Sequence, residues 1–127
     1  MKLSPNFTVA EAGQPPPEFH ENAREVARRL EIIRAAADSP LWVSSWYRSV
    51  QVNRLVDDAA TLSTHTTARA ADFVAVRGRY TEPMDMQELV EALIRAGAIP
   101  DGGLGRYDRH THYDIGRGGR RWSGISS

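Results

Sequence analysis

The sequence predicts a single α+β domain in which an antiparallel β-sheet packs against helices. The chain has 127 residues, a length that suits one domain. Hydrophobic residues make up 41% of the chain and charged residues 25%, which is the balance of a folded globular protein. The predicted order is helix, strand, short helix, strand, helix, strand, strand. Because this order lacks the regular alternation that builds a parallel sheet, we expect the helices to cover one side of the sheet.

The first 37 residues predict an irregular lead-in followed by the longest helix. Residues 1–18 end in a run of prolines that favours extended backbone, and Phe7 and Val9 are the side chains expected to attach this segment to the domain. Residues 19–37 predict a helix because apolar side chains recur at helical spacing. The predicted core stripe of this helix is Phe19, Ala23, Val26, Ala27, Leu30, Ile33 and Ala37.

The next segment, residues 41–47, predicts a strand because it is rich in β-branched and aromatic residues. Its large side chains, Trp42, Trp46 and Tyr47, are interpreted mainly as core residues. The alternating pair of Ser45 and Tyr47 has a second interpretation, in which both side chains line a cleft.

A short helix, a loop and a second strand follow. The helix is predicted over residues 49–56, and the loop over residues 57–69 is rich in Thr and Ser. Residues 70–76 predict a strand that is mostly apolar. The side chains of the short helix that are expected to face inward are Val52, Leu55 and Val56.

A second long helix is predicted over residues 85–96. Asp85 and Glu88 have the spacing of a capping box, and Gly97 is placed to end the helix. The predicted buried stripe is Met86, Leu89, Val90, Leu93 and Ile94.

The last third of the chain predicts a hairpin and a tail. Residues 104–107 and 111–115 are short strand candidates joined through Asp108 and Arg109. Residues 116–127 are basic and rich in glycine, so we expect a loose, solvated tail in which Trp122 could act as an anchor.

Composition excludes several classes of function. The absence of Cys rules out disulfides and thiolate metal sites, so any metal must be held by His and carboxylate ligands. Basic and acidic residues number 16 each, and this balance does not favour nucleic-acid binding. The N-terminus lacks the apolar region of a signal peptide, and no apolar run is long enough to span a membrane. We therefore expect synthesis in the cytoplasm without a signal peptide.

Four residues have the chemistry and spacing of a catalytic metal site. A catalytic zinc takes three ligands from His and carboxylate side chains and leaves a fourth position open. His65 precedes Asp72 by seven residues, and Asp72 lies in an apolar strand where a carboxylate needs a partner or a metal. His110 and His112 point to the same face of a strand, about 7 Å apart. One of this pair can therefore bind metal while the other reaches the attacking water.

The wider sequence resembles a known family. Ser-Thr-His-Thr-Thr-Ala-Arg-Ala-Ala-Asp at 63–72 is similar to Ser-x-His-x-x-Gly-x-Ala-x-Asp, the signature of the zinc D-alanyl-D-alanine carboxypeptidase family, which also contains phage L-alanyl-D-glutamate endopeptidases. Residues 45–53 resemble its Ser-Gly-Tyr-Arg-Ser-x-x-x-Asn segment. Residues 102–107 and 112–114 resemble its closing segment, and residues 3–11 resemble the start of small members. The match covers nearly the whole chain in the right order.

This resemblance implies a fold, a cofactor and a reaction. The fold is that of the hedgehog and DD-peptidase domains, and residues 19–127 would form the zinc peptidase domain. His65, Asp72 and His112 match the three ligands of Zn²⁺. The implied reaction is hydrolysis of peptide bonds in peptidoglycan stem peptides, by either a carboxypeptidase or an endopeptidase of the endolysin type.

Further site residues follow from the same resemblance. Arg48 matches an arginine that lies against the substrate near the metal, where a guanidinium can grip a carboxylate or carbonyl. His110 matches the first His of a His-x-His pair that serves the attacking water, and Asp114 would orient a ligand histidine. Ser63 and Tyr47 are expected at the edge of the substrate site.

The sequence departs from the family pattern at three positions. Ala68 and Trp46 stand where the family has Gly, and a left-handed backbone at Ala68 would cost about 1 kcal/mol. Arg109 stands where some members carry an acidic general base. The base is therefore either His110 or Asp108. The same departure allows the alternative that the domain is a catalytically silent zinc module, for instance a phage particle component.

The expected partner is the stem peptide of the cell wall, and the chain is expected to be a monomer. The resemblance to phage enzymes is compatible with a phage or prophage gene whose product reaches the wall by a separate release route.

Overall fold

The computed structural model describes residues 1–55 and 63–126. The helices in this part of the chain are α1 (His20–Ala37), α2 (Val50–Asn53) and α3 (Pro83–Arg95), with short 3-10 helices at Pro17–Phe19 and Thr64–Thr67. The strands are β1 (Lys2–Ser4), β2 (Phe7–Thr8), β3 (Leu41–Ser45), β4 (Ala70–Ala75), β5 (Gly103–Arg106), β6 (Thr111–Asp114) and β7 (Arg120–Ser123). None of the helices described is both long and apolar enough to cross a membrane.

The main sheet confirms the predicted α+β class. Its strand order is β3-β4-β6-β5-β7, while β1 and β2 form a separate antiparallel pair. The predicted hairpin is confirmed as β5 and β6. All neighbouring strands of the main sheet are antiparallel except β5 and β7, which are parallel. The sheet is therefore mixed at one edge.

The two faces of the sheet have different chemistry because successive side chains of a strand alternate between faces. Ala71 and Phe73 of β4, with Tyr113 of β6, belong to the buried cluster that α1 and α3 complete. Asp72 and His112 occupy the intervening positions and point to the opposite face. The helices thus cover one face, and the candidate ligands lie on the other.

Helix α1 supplies the predicted core stripe, since Ala23, Val26 and Leu30 are fully buried. It ends at Asp38, whose φ of 50° and ψ of 47° are left-handed. Glycine usually occupies such a position because its lack of a Cβ removes the steric cost.

We expect Asp38→Gly to raise the free energy of unfolding by about 0.5–1 kcal/mol, because it removes left-handed strain at an exposed position. Urea denaturation followed by circular dichroism measures the change. Ala68→Gly is the informative comparison. Ala68 is also left-handed, with φ of 58°, but its methyl group is fully buried, and losing it costs about 0.8 kcal/mol. A gain at residue 68 larger than that at residue 38 would contradict this reasoning.

The prediction that Val52 and Leu55 of the second helix face inward was wrong. Helix α2 has only four residues, and Val52 and Leu55 are 49% and 83% exposed, whereas Asn53 is buried. Val56 lies outside the described residues. A single helical turn is too short for periodicity to indicate its buried side, so contacts distant in sequence decide it. The core interpretation of Trp42 was also wrong, since its side chain is 65% exposed on β3.

Helix α3 starts two residues earlier than predicted. Pro83 occupies the first turn, and the N-cap residue Glu82 makes no side-chain capping hydrogen bond. The predicted capping box fails because Asp85 lies inside the helix rather than before it. Gly97 follows the helix with φ of 75°, as predicted for a residue that ends it.

The N-terminal segment, which was expected to be irregular, contains β1 and β2. These strands of three and two residues are too short to produce a recognisable alternation. Phe7 and Val9 are both buried, and the Phe7 ring meets Trp46 edge-on with centroids 6.1 Å apart. The segment therefore supports the residues that follow β3.

The C-terminal segment is not the loose tail that was expected, because β7 joins the main sheet. Arg121 binds Glu91 of α3, with Nε and Oε2 2.9 Å apart, and Asp101, with a nitrogen–oxygen distance of 2.8 Å. Arg120 donates to Asp114 of β6. These partners lie far away in sequence, so the local composition of the segment could not reveal them.

Candidate metal centre

Strand pairing brings two candidate ligands together. Asp72 of β4 and His112 of β6 are register partners in the antiparallel ladder. His65 enters from the 3-10 helix that precedes β4. One potential ligand atom from each of the three residues lies within 4.8 Å of the others, and all three residues are buried. The structure therefore brings His65, Asp72 and His112 into one cluster.

The Asp72 carboxylate is the centre of this cluster. Its Oδ1 lies 2.9 Å from His112 Nδ1 and 3.3 Å from His65 Nε2. Its Oδ2 lies 3.6 Å from Nε2 of His110. All three imidazoles therefore point a ring nitrogen at one carboxylate.

The backbone fixes the orientation of His65. Its Nδ1 donates to the carbonyl oxygen of Trp46 at 2.6 Å. Because a carbonyl only accepts, Nδ1 carries the ring hydrogen and Nε2 has a lone pair directed toward Asp72. Ser63 supports this geometry, since its Oγ accepts from the backbone N–H of His65 at 3.2 Å.

Asp114 orients His112 from the other side of the ring. Its Oδ2 lies 2.8 Å from His112 Nε2, which leaves Nδ1 directed toward Asp72. The other oxygen, Oδ1, accepts from the backbone N–H groups of Gly103 at 3.2 Å and Gly116 at 2.9 Å, and from Arg120. A fully buried carboxylate with this many donors is a rigid support for the imidazole.

Burial and hydrogen bonding shift the ionisation of this cluster in opposite directions. Burial alone would raise the pKa of Asp72, but the hydrogen bond from His112 and the closeness of both imidazoles outweigh it and hold that pKa well below its usual range. Burial alone would lower the pKa of His112, but hydrogen bonds to Asp114 and Asp72 raise it above the ordinary value of 6.5. The two carboxylates therefore favour the protonated form of His112.

We expect metal affinity to fall as the pH decreases, because a metal at His112 Nδ1 must displace a proton. The raised pKa of His112 means that this loss begins at a higher pH than for an ordinary histidine. Below that pKa the affinity should fall about tenfold per pH unit. Titration calorimetry with Zn²⁺ between pH 6 and 8, in buffers of different ionisation enthalpy, measures both affinity and proton release. Constant affinity with no proton released would contradict the expectation.

Of the two candidates for proton transfer, His110 is the one that lies beside the cluster. Burial lowers its pKa, while the nearby Asp72 opposes that shift. Asp108 is exposed, and its carboxylate accepts from the backbone N–H of Ser126 and lies 3.7 Å from Arg109. That hydrogen bond from Ser126 lowers the pKa of Asp108.

The structure adds two aromatic residues that the sequence did not assign to the site. The Trp122 ring lies 5.0 Å from the His112 ring, and its Nε1–H donates to Tyr107 Oη at 2.9 Å. Gly105 makes this possible because a Cβ there would collide with the indole. The sequence feature that could have indicated Trp122 was a large aromatic residue in a segment otherwise rich in Arg and Gly. The parallel pairing of β7 that positions this residue was not predictable.

A comparison with family models identifies the chain. The model described as Peptidase M15 matches residues 6–114. The chain belongs to the Peptidase M15 family. The comparison with curated proteins gave no significant match.

Peptidase M15 members are zinc enzymes, and the donor set of this member suits that ion. Two imidazoles and one carboxylate are a known combination for catalytic zinc. His65, Asp72 and His112 could therefore hold a metal.

Two further predicted site residues of this M15 member, Arg48 and Tyr47, differ in their contacts. The backbone N–H of Arg48 donates to the His65 carbonyl at 3.1 Å. Its side-chain Nε is buried without a hydrogen-bond partner among the residues described. Burial lowers the pKa of Arg48, and Asp72 and Tyr107 oppose that shift. The Tyr47 ring packs against Phe19 with centroids 6.1 Å apart.

Ala68, which stands where the resembled signature has glycine, adopts a left-handed backbone conformation. Glycine would adopt this conformation without strain. Ala68 ends the 3-10 helix with φ of 58° and ψ of 28°. Its carbonyl accepts from Trp46 Nε1–H at 3.3 Å. Trp46 thus supports the turn between His65 and Asp72 through both its carbonyl and its indole, and its large buried side chain makes this contact where glycine could not.

Proposed function

We propose that this M15 family member is a zinc-dependent peptidase that hydrolyses peptide bonds in peptidoglycan stem peptides. The single observation that supports this most strongly is the buried cluster of His65, Asp72 and His112, in which Asp72 and His112 lie on the sheet face opposite the helices. Family membership supports the same reaction class. Action at the cell wall, release by a separate route and a monomeric state are parts of this proposal.

Each residue of the proposed site has a distinct task. His65, Asp72 and His112 would hold the zinc, and zinc, when bound, lowers the pKa of a water molecule and polarises a carbonyl. His110 takes a proton through Nε2, the nitrogen that faces Asp72. Arg48 binds a carbonyl or carboxylate of the substrate through its guanidinium group.

Arg48→Lys is expected to raise KM about tenfold and leave kcat within about twofold, because an ammonium cannot reproduce the planar fork of donors. Steady-state kinetics on a purified muropeptide measures both parameters. Arg109→Lys is the matched control, since the Arg109 side chain is 81% exposed. An unchanged KM for Arg48→Lys would remove Arg48 from the substrate site.

The proposal as a whole is tested by mass spectrometry of muropeptides incubated with the zinc-loaded protein, with and without a chelator. We expect peptide-bond cleavage that disappears with the chelator and returns with zinc. Loss of one terminal residue indicates a carboxypeptidase, and cleavage within the stem indicates an endopeptidase. The alternative, a silent zinc module, is favoured by the cationic Arg109 next to His110. One bound zinc with no product from several wall preparations would establish that alternative and refute the proposal.

A further inference from the structure

The imidazole of His110 is held against an aromatic ring. The Tyr107 ring stacks on it, with centroids 4.4 Å apart and planes inclined by 14°. Tyr107 is itself held by Trp122, whose indole N–H donates to the phenol oxygen at 2.9 Å. This stack sets the plane of the His110 ring, but it does not determine which ring nitrogen carries the hydrogen.

Ser126 contacts the ring nitrogen that faces away from Asp72. Its Oγ lies 2.8 Å from His110 Nδ1. The same oxygen accepts from the backbone N–H of Arg109 at 3.1 Å. The backbone N–H of Ser126 donates to the Asp108 carboxylate. The C-terminal residues are therefore tied to the turn between β5 and β6 by three hydrogen bonds around one serine.

The hydrogen-bonding capacity of a hydroxyl group suggests what this contact does. A serine oxygen has two lone pairs, so it can accept from Arg109 N–H and from His110 Nδ1–H together. With its hydrogen on Nδ1, His110 has a lone pair on Nε2, 3.6 Å from Asp72 Oδ2. A proton acceptor needs that lone pair, and the opposite tautomer would present a hydrogen there instead.

We propose that Ser126 is a positioning residue that holds His110 in the tautomer with its hydrogen on Nδ1. The inference rests on the proposed function, because it assigns how the proton acceptor of that reaction is prepared. It gives the C-terminal segment a role in catalysis that does not require Ser126 to touch the substrate.

The tautomer is measured directly by two-bond ¹H–¹⁵N NMR on zinc-loaded protein with ¹⁵N-labelled histidine, near pH 8. Wild-type His110 should show the Nδ1–H pattern, Ser126→Ala should shift it toward Nε2–H, and Ser126→Thr should retain it. Loss of this one hydrogen bond should lower kcat about tenfold in Ser126→Ala with KM unchanged. Ser126→Thr should restore kcat. Ser123→Ala, at an exposed serine of β7, is the matched control and should change neither readout.

Two results would overturn the inference. One is a wild-type His110 with its hydrogen on Nε2, and the other is a Ser126→Ala variant with unaltered tautomer and kcat. The failure of the proposed function has a different signature. A wild-type protein that releases no product refutes the hydrolase, whereas the NMR pattern still decides whether Ser126 sets the tautomer.

Discussion

Replacing His112 with alanine is expected to abolish both zinc binding and peptide hydrolysis. His112 is buried, and its Nδ1 approaches the same Asp72 oxygen as His65, so its loss leaves only two ligands. Loss of outer-sphere partners alone typically costs 10–100-fold in metal affinity, so loss of a ligand should cost more than about 100-fold. Zinc titration and muropeptide assays measure the two effects.

His20→Ala is the matched control for this experiment. His20 lies at the start of α1, where its Nε2 is 3.0 Å from the carbonyl oxygen of Pro15, and it has no part in the cluster. Zinc affinity and hydrolysis should both survive that change. A second variant, His112→Gln, guards against misfolding because Asp72 and Asp114 both lose a partner when the imidazole is removed. Undiminished hydrolysis in a folded His112 variant would end the proposed mechanism.

His110→Ala is expected to separate catalysis from metal binding. Its Nε2 lies 3.6 Å from Asp72, but His110 is not one of the three residues whose ligand atoms converge. Zinc affinity should therefore stay within a few fold of wild type, whereas kcat should fall by about 10²–10⁴, the usual contribution of a general acid or base.

Asp108→Asn is the comparison that decides between the two candidates for the base. The Asp108 carboxylate contacts Ser126 and Arg109 rather than the cluster, so its substitution should leave at least half of kcat. The reverse outcome, with kcat lost in Asp108→Asn and kept in His110→Ala, would assign the base to Asp108. Single-turnover kinetics at saturating zinc measures the chemical step in both variants.

Much of the fold follows from local patterns. Helix α1 and the hairpin of β5 and β6 were predictable because helical and strand periodicity involve residues close together in the chain. The candidate ligands were recognisable for a different reason. A carboxylate in an apolar strand, as at Asp72, needs a partner, and the spacing of His65 and Asp72 resembled a known zinc signature.

The fold class, the family and a short set of residues able to hold a metal were thus recognisable from the amino-acid sequence. The tertiary structure alone decided that Asp72 and His112 are opposite one another, that α2 presents Val52 to solvent, and that β7 brings Trp122 to the site. Each of these three features depends on pairing or packing between segments that are distant in sequence. Local sequence patterns do not specify which segments make those contacts.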